Sequence, residues 1–352
     1  MTEDWQLFKG SRYQVAKALG SYWGKEYKKR KRKIPGVGCL APRCDCFSAE
    51  RLLIEKGFPK VHEEICGILD GINSEGVKAT FEGVLREVLA EATGCATIGI
   101  RSKNRSVLSH NEEWDGKSPL CFAHVNLDGH RFLSVSYPFQ LFGSAAGATS
   151  AFAFSGNSID LDCKREQAIK RTRDKRIAKT ILTRLLLDQH TFNDAKKILT
   201  LHPLLQANNL SFIGKAGNLL KAQIVPNQSL SLRALENQVR WIKATNNRIC
   251  QTNYLSQDGE LDGKHVDGTM APEADIERHG RLNDIITNIS CSDTKLAATL
   301  EKKMSTVRCD ESTRNEDTLA TITFEMTKKQ MRARAIHFFI DKKGVRVRSK
   351  KV

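Results

Sequence analysis

The stretch Gly94-Cys95-Ala96-Thr97-Ile98-Gly99-Ile100, followed by Ser109-His110-Asn111-Glu112-Glu113-Trp114-Asp115, marks the point where the hydrophobic period changes. Before it, apolar residues recur at helical spacing: Val15, Leu19, Tyr22 and Tyr27 within 11–33, and Val84, Leu85, Val88 and Leu89 within 81–91. Residues 48–56 and 61–72 read as shorter helices. After Cys95 the pieces become strand-like at 96–101, 106–109, 120–126 and 131–136, with Asp128-Gly129 as a hairpin turn. Residues 164–189 and 191–201 return to helical spacing, with Thr191 as a cap and Pro203 as a stop. A second hairpin is expected over 209–225, more helix over 273–304, and strands at 319–325, 333–340 and 345–348.

Two batches of strands with helices before, between and after them predict an α+β fold layered αββα. The short links between strands make the sheets mainly antiparallel. The chain divides into a helical leader, 1–94, and a body, 95–352.

Composition narrows the function classes. With 352 residues, 40% of them apolar, the chain is long enough for a substantial core. It has no apolar run of membrane-spanning length and no secretory signal at Met1–Trp5. A cytoplasmic protein with no membrane partner is therefore expected. The 56 Lys and Arg against 40 Asp and Glu give a formal charge of +16, which admits an anionic partner. Without zinc-finger or RNP spacing, or repeated aromatic–basic interleaving, nucleic acid is the weaker choice. The 10 cysteines are scattered and read as reduced thiols. Cys39, Cys44 and Cys46, with His62 downstream, lack a common zinc spacing, so no metal and no cofactor are expected.

A cysteine that begins a strand after a glycine is placed for nucleophilic work, because the glycine leaves its carbonyl open to attack. Asn111, Glu113 and Asp115 alternate on one face of the strand that should pair with the one beginning at Cys95. That pairing would bring an amide and a carboxylate beside the thiol. Asn157, after the small-residue run 143–148, and the aromatic residues Trp114, Tyr137, Phe139 and Phe142 are further candidates around such a site.

The run Gly-Cys-x-Thr, with His-Asn-Glu-Glu-Trp starting sixteen residues after its glycine, resembles the isopenicillin-N acyltransferase family. That family includes hydrolases of N-β-alanyl-dopamine and carcinine. Residues 10–20, 63–71, 143–158, Gln251-Thr252-Asn253-Tyr254, 277–282 and 318–321 fit it in the same order. The resemblance implies an N-terminal-nucleophile hydrolase of αββα fold that cuts its own chain between Gly94 and Cys95. Cys95 would be the nucleophile, Glu113 would match an active-site aspartate, and Asn253 would match an oxyanion-stabilising asparagine. Asn111, Trp114 and Asn157 fall around the substrate, and Arg278 lies in one of the matching stretches. The implied substrate is a small acyl amide or acyl thioester, with the cleaved fragments staying together and room for a homo-oligomer. A catalytically silent binding protein of the same fold, or a basic nucleic-acid-binding protein, is the alternative.

Overall fold

The computed structural model describes the chain apart from residues 1–4, 31–33, 35–36, 42–46, 91–94, 116–117, 160–172, 216, 227–236, 254–272, 291, 293–294, 306–315, 342–343 and 352. In chain order the leader supplies β1 (Gln6–Gly10), α1 (Arg12–Lys29), α2 (Ser48–Gly57), α3 (Pro59–Ser74) and α4 (Phe81–Leu89). Next come β2 (Cys95–Arg101), β3 (Arg105–Asp115), β4 (Cys121–Leu127), β5 (His130–Ser136), β6 (Ala146–Thr149) and β7 (Phe152–Ile159). Then follow α5 (Lys179–Leu187), α6 (Phe192–Leu201), β8 (Ala207–Gly214), β9 (Leu219–Val225), β10 (Gln238–Lys243) and β11 (Arg248–Gln251). The chain closes with α7 (Glu273–Thr287), α8 (Leu296–Met304), β12 (Glu316–Thr327), β13 (Met331–Asp341) and β14 (Gly344–Lys351).

The strands form two sheets. One has eight strands in the order β1-β4-β5-β6-β7-β8-β9-β10, the other six in the order β11-β2-β3-β12-β13-β14. Among the described residues, β1 alone pairs in parallel, with β4; the remaining strand pairs are antiparallel. Between the sheets lies an apolar layer that includes Leu108, Phe122, Val135, Ala153, Ile213, Ile322 and Phe324. Alternate residues of the six-stranded sheet, among them Ala96, Ile98 and Ile100, face α7 and α8 through Leu282, Ile286, Leu296 and Leu300. The outer face of the eight-stranded sheet, with Phe132, Phe152, Phe154 and Phe212, packs on α1–α6. The order is helices, sheet, sheet, helices: the αββα fold.

Local chemistry explains the better-read elements. Ser11 and Gln14 make a reciprocal capping box at the start of α1. The Thr191 hydroxyl accepts from the Asp194 N–H at 3.1 Å to start α6. Asp128 and Gly129 have φ of 50° and 89°, the left-handed pair that a two-residue hairpin between β4 and β5 requires.

Three expectations change. The leader is not purely helical, because β1 joins the eight-stranded sheet and Phe8 enters its core. The helix expected from 164 begins at Lys179; Arg173–Lys175 is a short 3-10 turn and Ile177 bridges Leu204. Residues 164–172 of that expectation, and Gly94, lie outside the described residues. Phe139 and Phe142 belong to the helix-side core and not to the space around Cys95.

Close packing holds the leader's own helices together, and buried charge binds the leader into the body. A Cβ on Gly71 would fall 2.0 Å from the Lys17 carbonyl oxygen, and one on Gly20 would fall 2.1 Å from that of Ile68. Only glycines allow α1 and α3 to approach so closely. Arg184 on α5, fully buried, grips Glu64 on α3 at 2.8 and 2.7 Å and Asp188 at 2.8 Å. Arg12 on α1 bonds the same two carboxylates. Replacing Glu64 by Ala leaves the Arg184 guanidinium without its principal counter-charge, at an expected cost of about 3–5 kcal/mol. Urea unfolding of Glu64→Ala against the parent measures this; a loss under about 1 kcal/mol would show that the buried network is not structural.

Candidate active site

Cys95 is the first residue of β2 and fully buried. The β2–β3 register places it opposite Glu112, and Thr97 opposite His110. These four side chains therefore share the face that looks toward the other sheet. The Cys95 thiol donates to Glu112 Oε1 at 3.2 Å. The Tyr137 hydroxyl donates to the same oxygen. Glu112 Oε2 lies 2.8 Å from His110 Nε2, and His110 Nδ1 lies 2.8 Å from Thr97 Oγ1. Thr97 in turn reaches Asn157 Oδ1 at 2.8 Å and Ser155 Oγ at 3.2 Å on β7. A chain of buried polar contacts thus crosses from one sheet to the other.

A second chain holds the backbone nitrogen. The Cys95 N–H donates to Asn253 Oδ1 at 2.8 Å, and Arg278 Nη2 on α7 donates to that same oxygen at 2.8 Å. Arg278 Nη1 pairs with Glu113 Oε2. Asn253 Nδ2 donates to the Ser158 carbonyl at 2.8 Å. Glu113 is linked to the nitrogen through Arg278 and Asn253, and its backbone N–H also bonds the Cys95 sulfur.

The two chains refine the sequence reading. The structure brings Asn253 onto the Cys95 nitrogen and links Asn157 to the same polar chain through Thr97. The carboxylate on the thiol, however, is Glu112, because cross-strand partners share a face and its neighbours Asn111 and Glu113 point the other way. Asn111 Nδ2 donates to the Met304 carbonyl on the helix side, and its Oδ1 accepts from Thr321. It does not reach the thiol. Asn253 Nδ2, expected at an oxyanion, is committed to Ser158. Trp114 pairs with Asp317 through the strand backbone, and its side chain lies outside the described residues. Four groups escaped notice: Glu112, His110, Lys179 and the bridging role of Arg278. Counting back from the Arg101–Ser106 pair beside the turn would have put Glu112 opposite Cys95.

Electrostatics sets the thiol and its carboxylate apart. Burial, reinforced by the Glu112 charge, pushes the Cys95 thiol well above its ordinary range; Lys179 and the Glu113 N–H only partly offset this. Burial alone would raise the Glu112 carboxyl, but His110, Lys179 and the Tyr137 hydrogen bond outweigh it and hold the group below its ordinary range. Tyr137 is raised by burial and by Glu112, and so stays a donor. At neutral pH the proton therefore rests on sulfur. Glu112 serves as an anchor for the S–H.

The family model of acyl-coenzyme A:6-aminopenicillanic acid acyl-transferase matches residues 100–336. That span starts beyond Cys95 and holds Glu112, Glu113, Asn253 and Arg278. Among solved structures, the chain is similar to the Caenorhabditis elegans N-acylethanolamine-hydrolyzing acid amidase ortholog. The identity is 14% and the TM-score 0.46, over 67% of this chain and 93% of that one. A comparison with curated proteins gives no match.

Because Glu112 raises the thiol, Glu112→Gln should lower its pKa and speed alkylation of Cys95 at fixed pH. Peptide mass spectrometry after timed alkylation reads this, with exposed Cys39 as the internal reference. An unchanged or slower rate at Cys95 would contradict the charge coupling.

Proposed function

The chain belongs to the acyl-coenzyme A:6-aminopenicillanic acid acyl-transferase family, and on that premise we propose that it is a self-processing cysteine amidohydrolase or acyltransferase whose nucleophile is Cys95. The observation that carries this reading is the double grip on one residue: the Cys95 nitrogen on Asn253 and its sulfur on Glu112. A structural cysteine needs neither. Both grips suit a residue whose nitrogen and sulfur must each take part in chemistry.

In the uncut chain, the Cys95 sulfur attacks the Gly94 carbonyl. The peptide C–N bond breaks, the acyl group moves to sulfur, and the nitrogen gains a proton. Water then releases the thioester and leaves a free α-amine on Cys95, with an unperturbed pKa near 7.7–8.0. Glu112, held below the usual carboxylate range, is too weak a base to take the thiol proton. The new amine is a better match and is held at a fixed distance from the sulfur by the residue's own bonds. It donates one N–H to Asn253 while its lone pair receives the S–H proton. The thiolate attacks a small acyl amide or acyl thioester, and the acyl-enzyme passes to water or to an amine. Arg278 and Glu113 keep Asn253 oriented, while Tyr137 and His110 hold the Glu112 anchor.

The 1–94 and 95–352 fragments stay associated in this scheme. β1 remains paired with β4, and the Glu64–Arg184 ion pair crosses the cut. A cytoplasmic setting belongs to the same proposal; no helix among the described residues is long and apolar enough to cross a membrane.

Intact mass and N-terminal sequencing test the maturation step. The expected result is two co-purifying fragments, with Cys95 at the second N-terminus. Turnover of N-acylated amino acids, β-alanyl amines or acyl thioesters should vanish on alkylation. A chain that stays whole on long incubation, and binds DNA or RNA in a salt-dependent manner instead, would overturn the reading.

Cys95→Ala should abolish both cleavage and turnover. Asn253→Ala should slow both together, because Asn253 holds the nitrogen that leaves in one step and acts as base in the other. Processing at the parent rate with only kcat reduced, by roughly 10²–10³, would instead return Asn253 to the oxyanion.

A further inference from the structure

We propose that Cys95 Sγ, His110 Nε2 and a Glu112 carboxylate oxygen form a three-ligand site for a divalent cation of the zinc class, and that occupancy there caps the thiol. Their ligand atoms all lie within 4.8 Å of one another, and all three residues are buried. The arrangement follows from the strands: His110 and Glu112 are two apart on one face of β3, and Cys95 stands opposite Glu112 on β2. One sulfur, one imidazole nitrogen and one carboxylate oxygen suit zinc, cobalt or cadmium, and not the oxygen-seeking calcium or magnesium.

The surroundings are those of a metal site. Thr97 Oγ1, 2.8 Å from His110 Nδ1, fixes the ring with Nε2 toward Glu112, and Thr97 is itself held by Asn157. Tyr137 steadies the carboxylate. The present spacings, 2.8 Å from His110 to Glu112 and 3.2 Å from Cys95 to Glu112, are hydrogen bonds. Tetrahedral ligation with bonds of about 2.0–2.3 Å needs ligand separations of roughly 3.3–3.7 Å, so rotations of a few tenths of an ångström open the set. On binding, the metal–sulfur bond replaces the S–H bond, and the thiol proton, with any proton on Nε2, leaves to solvent. Nothing is oxidised or reduced.

Only the inhibitory half of this inference rests on the catalytic reading above. Zinc titration of the purified protein against a chromophoric chelator should show one site per chain that Cys95→Ala and His110→Ala remove and Glu112→Gln weakens. Cobalt should give a near-ultraviolet thiolate charge-transfer band that is lost in Cys95→Ala. Thr97→Ala, which keeps all three ligands, should weaken binding roughly 10–100-fold, and it serves if His110→Ala fails to fold. Equal zinc binding in Cys95→Ala would assign the metal to other thiols and overturn the site. So would the absence of binding to the parent protein. Where turnover is present, zinc should stop it and a chelator restore it; turnover persisting at saturating zinc would remove the capping role. Bound zinc in a protein without any turnover would count against the catalytic reading and leave the site standing.

Discussion

The pairing of Cys95 with Glu112 across β2 and β3 determines what the rest of the site can do. Side chains alternate along a strand, so this register places Thr97 and His110 with Cys95 on the face between the sheets. It sends Asn111 and Glu113 to the helix side, where Met304 and Arg278 receive them. A slip of one residue would exchange the two carboxylates and expose His110 to the wrong layer. The neighbouring strands hold the register from both sides: β12 pairs with β3 over its whole length, and β11 pairs with β2.

Two polar chains then meet at a single residue without competing for the same atom. The chain through Glu112, His110, Thr97 and Asn157 ends on sulfur and lies between the sheets. The chain through Glu113, Arg278 and Asn253 ends on nitrogen and runs to α7. Their separation matters because both are buried, where each unmet polar group costs about 1–3 kcal/mol. Lys179 adds a buried positive charge that acts on both Cys95 and Glu112. The result is a thiol kept protonated and a carboxylate kept charged.

Much of this architecture was legible in the sequence because it rests on local signals. The change of period at Cys95, the Asp128-Gly129 turn, the Thr191 cap and the three closing strands all depend on neighbouring residues, and each stands in the structure. What was hidden depends on distant partners. β1 shows only one buried side chain, Phe8, and owes its existence to β4, more than a hundred residues away. Alternation revealed that Asn111 and Glu113 share a face, but not which face meets the thiol; that needs the partner strand's register. Arg278 looked like one cation among many until the fold carried α7 against Glu113 and Asn253. Lys179 sat well inside a stretch read as one helix from 164 to 189, yet the helix starts there and buries it.

The division of labour between leader and body bears on why a cut before Cys95 would be harmless to the fold. Among the described residues, every side chain of the two polar chains lies at or after Cys95; the leader contributes β1 and the helices that cover the outer face of the eight-stranded sheet. Its hold on the body comes from the pairing of β1 with β4, the shared apolar core, and the ion pairs of Arg184 with Glu64 and of Arg12 with Asp188. None of these passes through the backbone at 94–95. A break there would remove one covalent link while the noncovalent contacts remain, and the amine of the proposed cut would arise inside a site that is already assembled. In the proposed reaction, folding would supply the positioning before the chemistry begins, so that attack on the chain and later attack on a substrate would both join groups already in place.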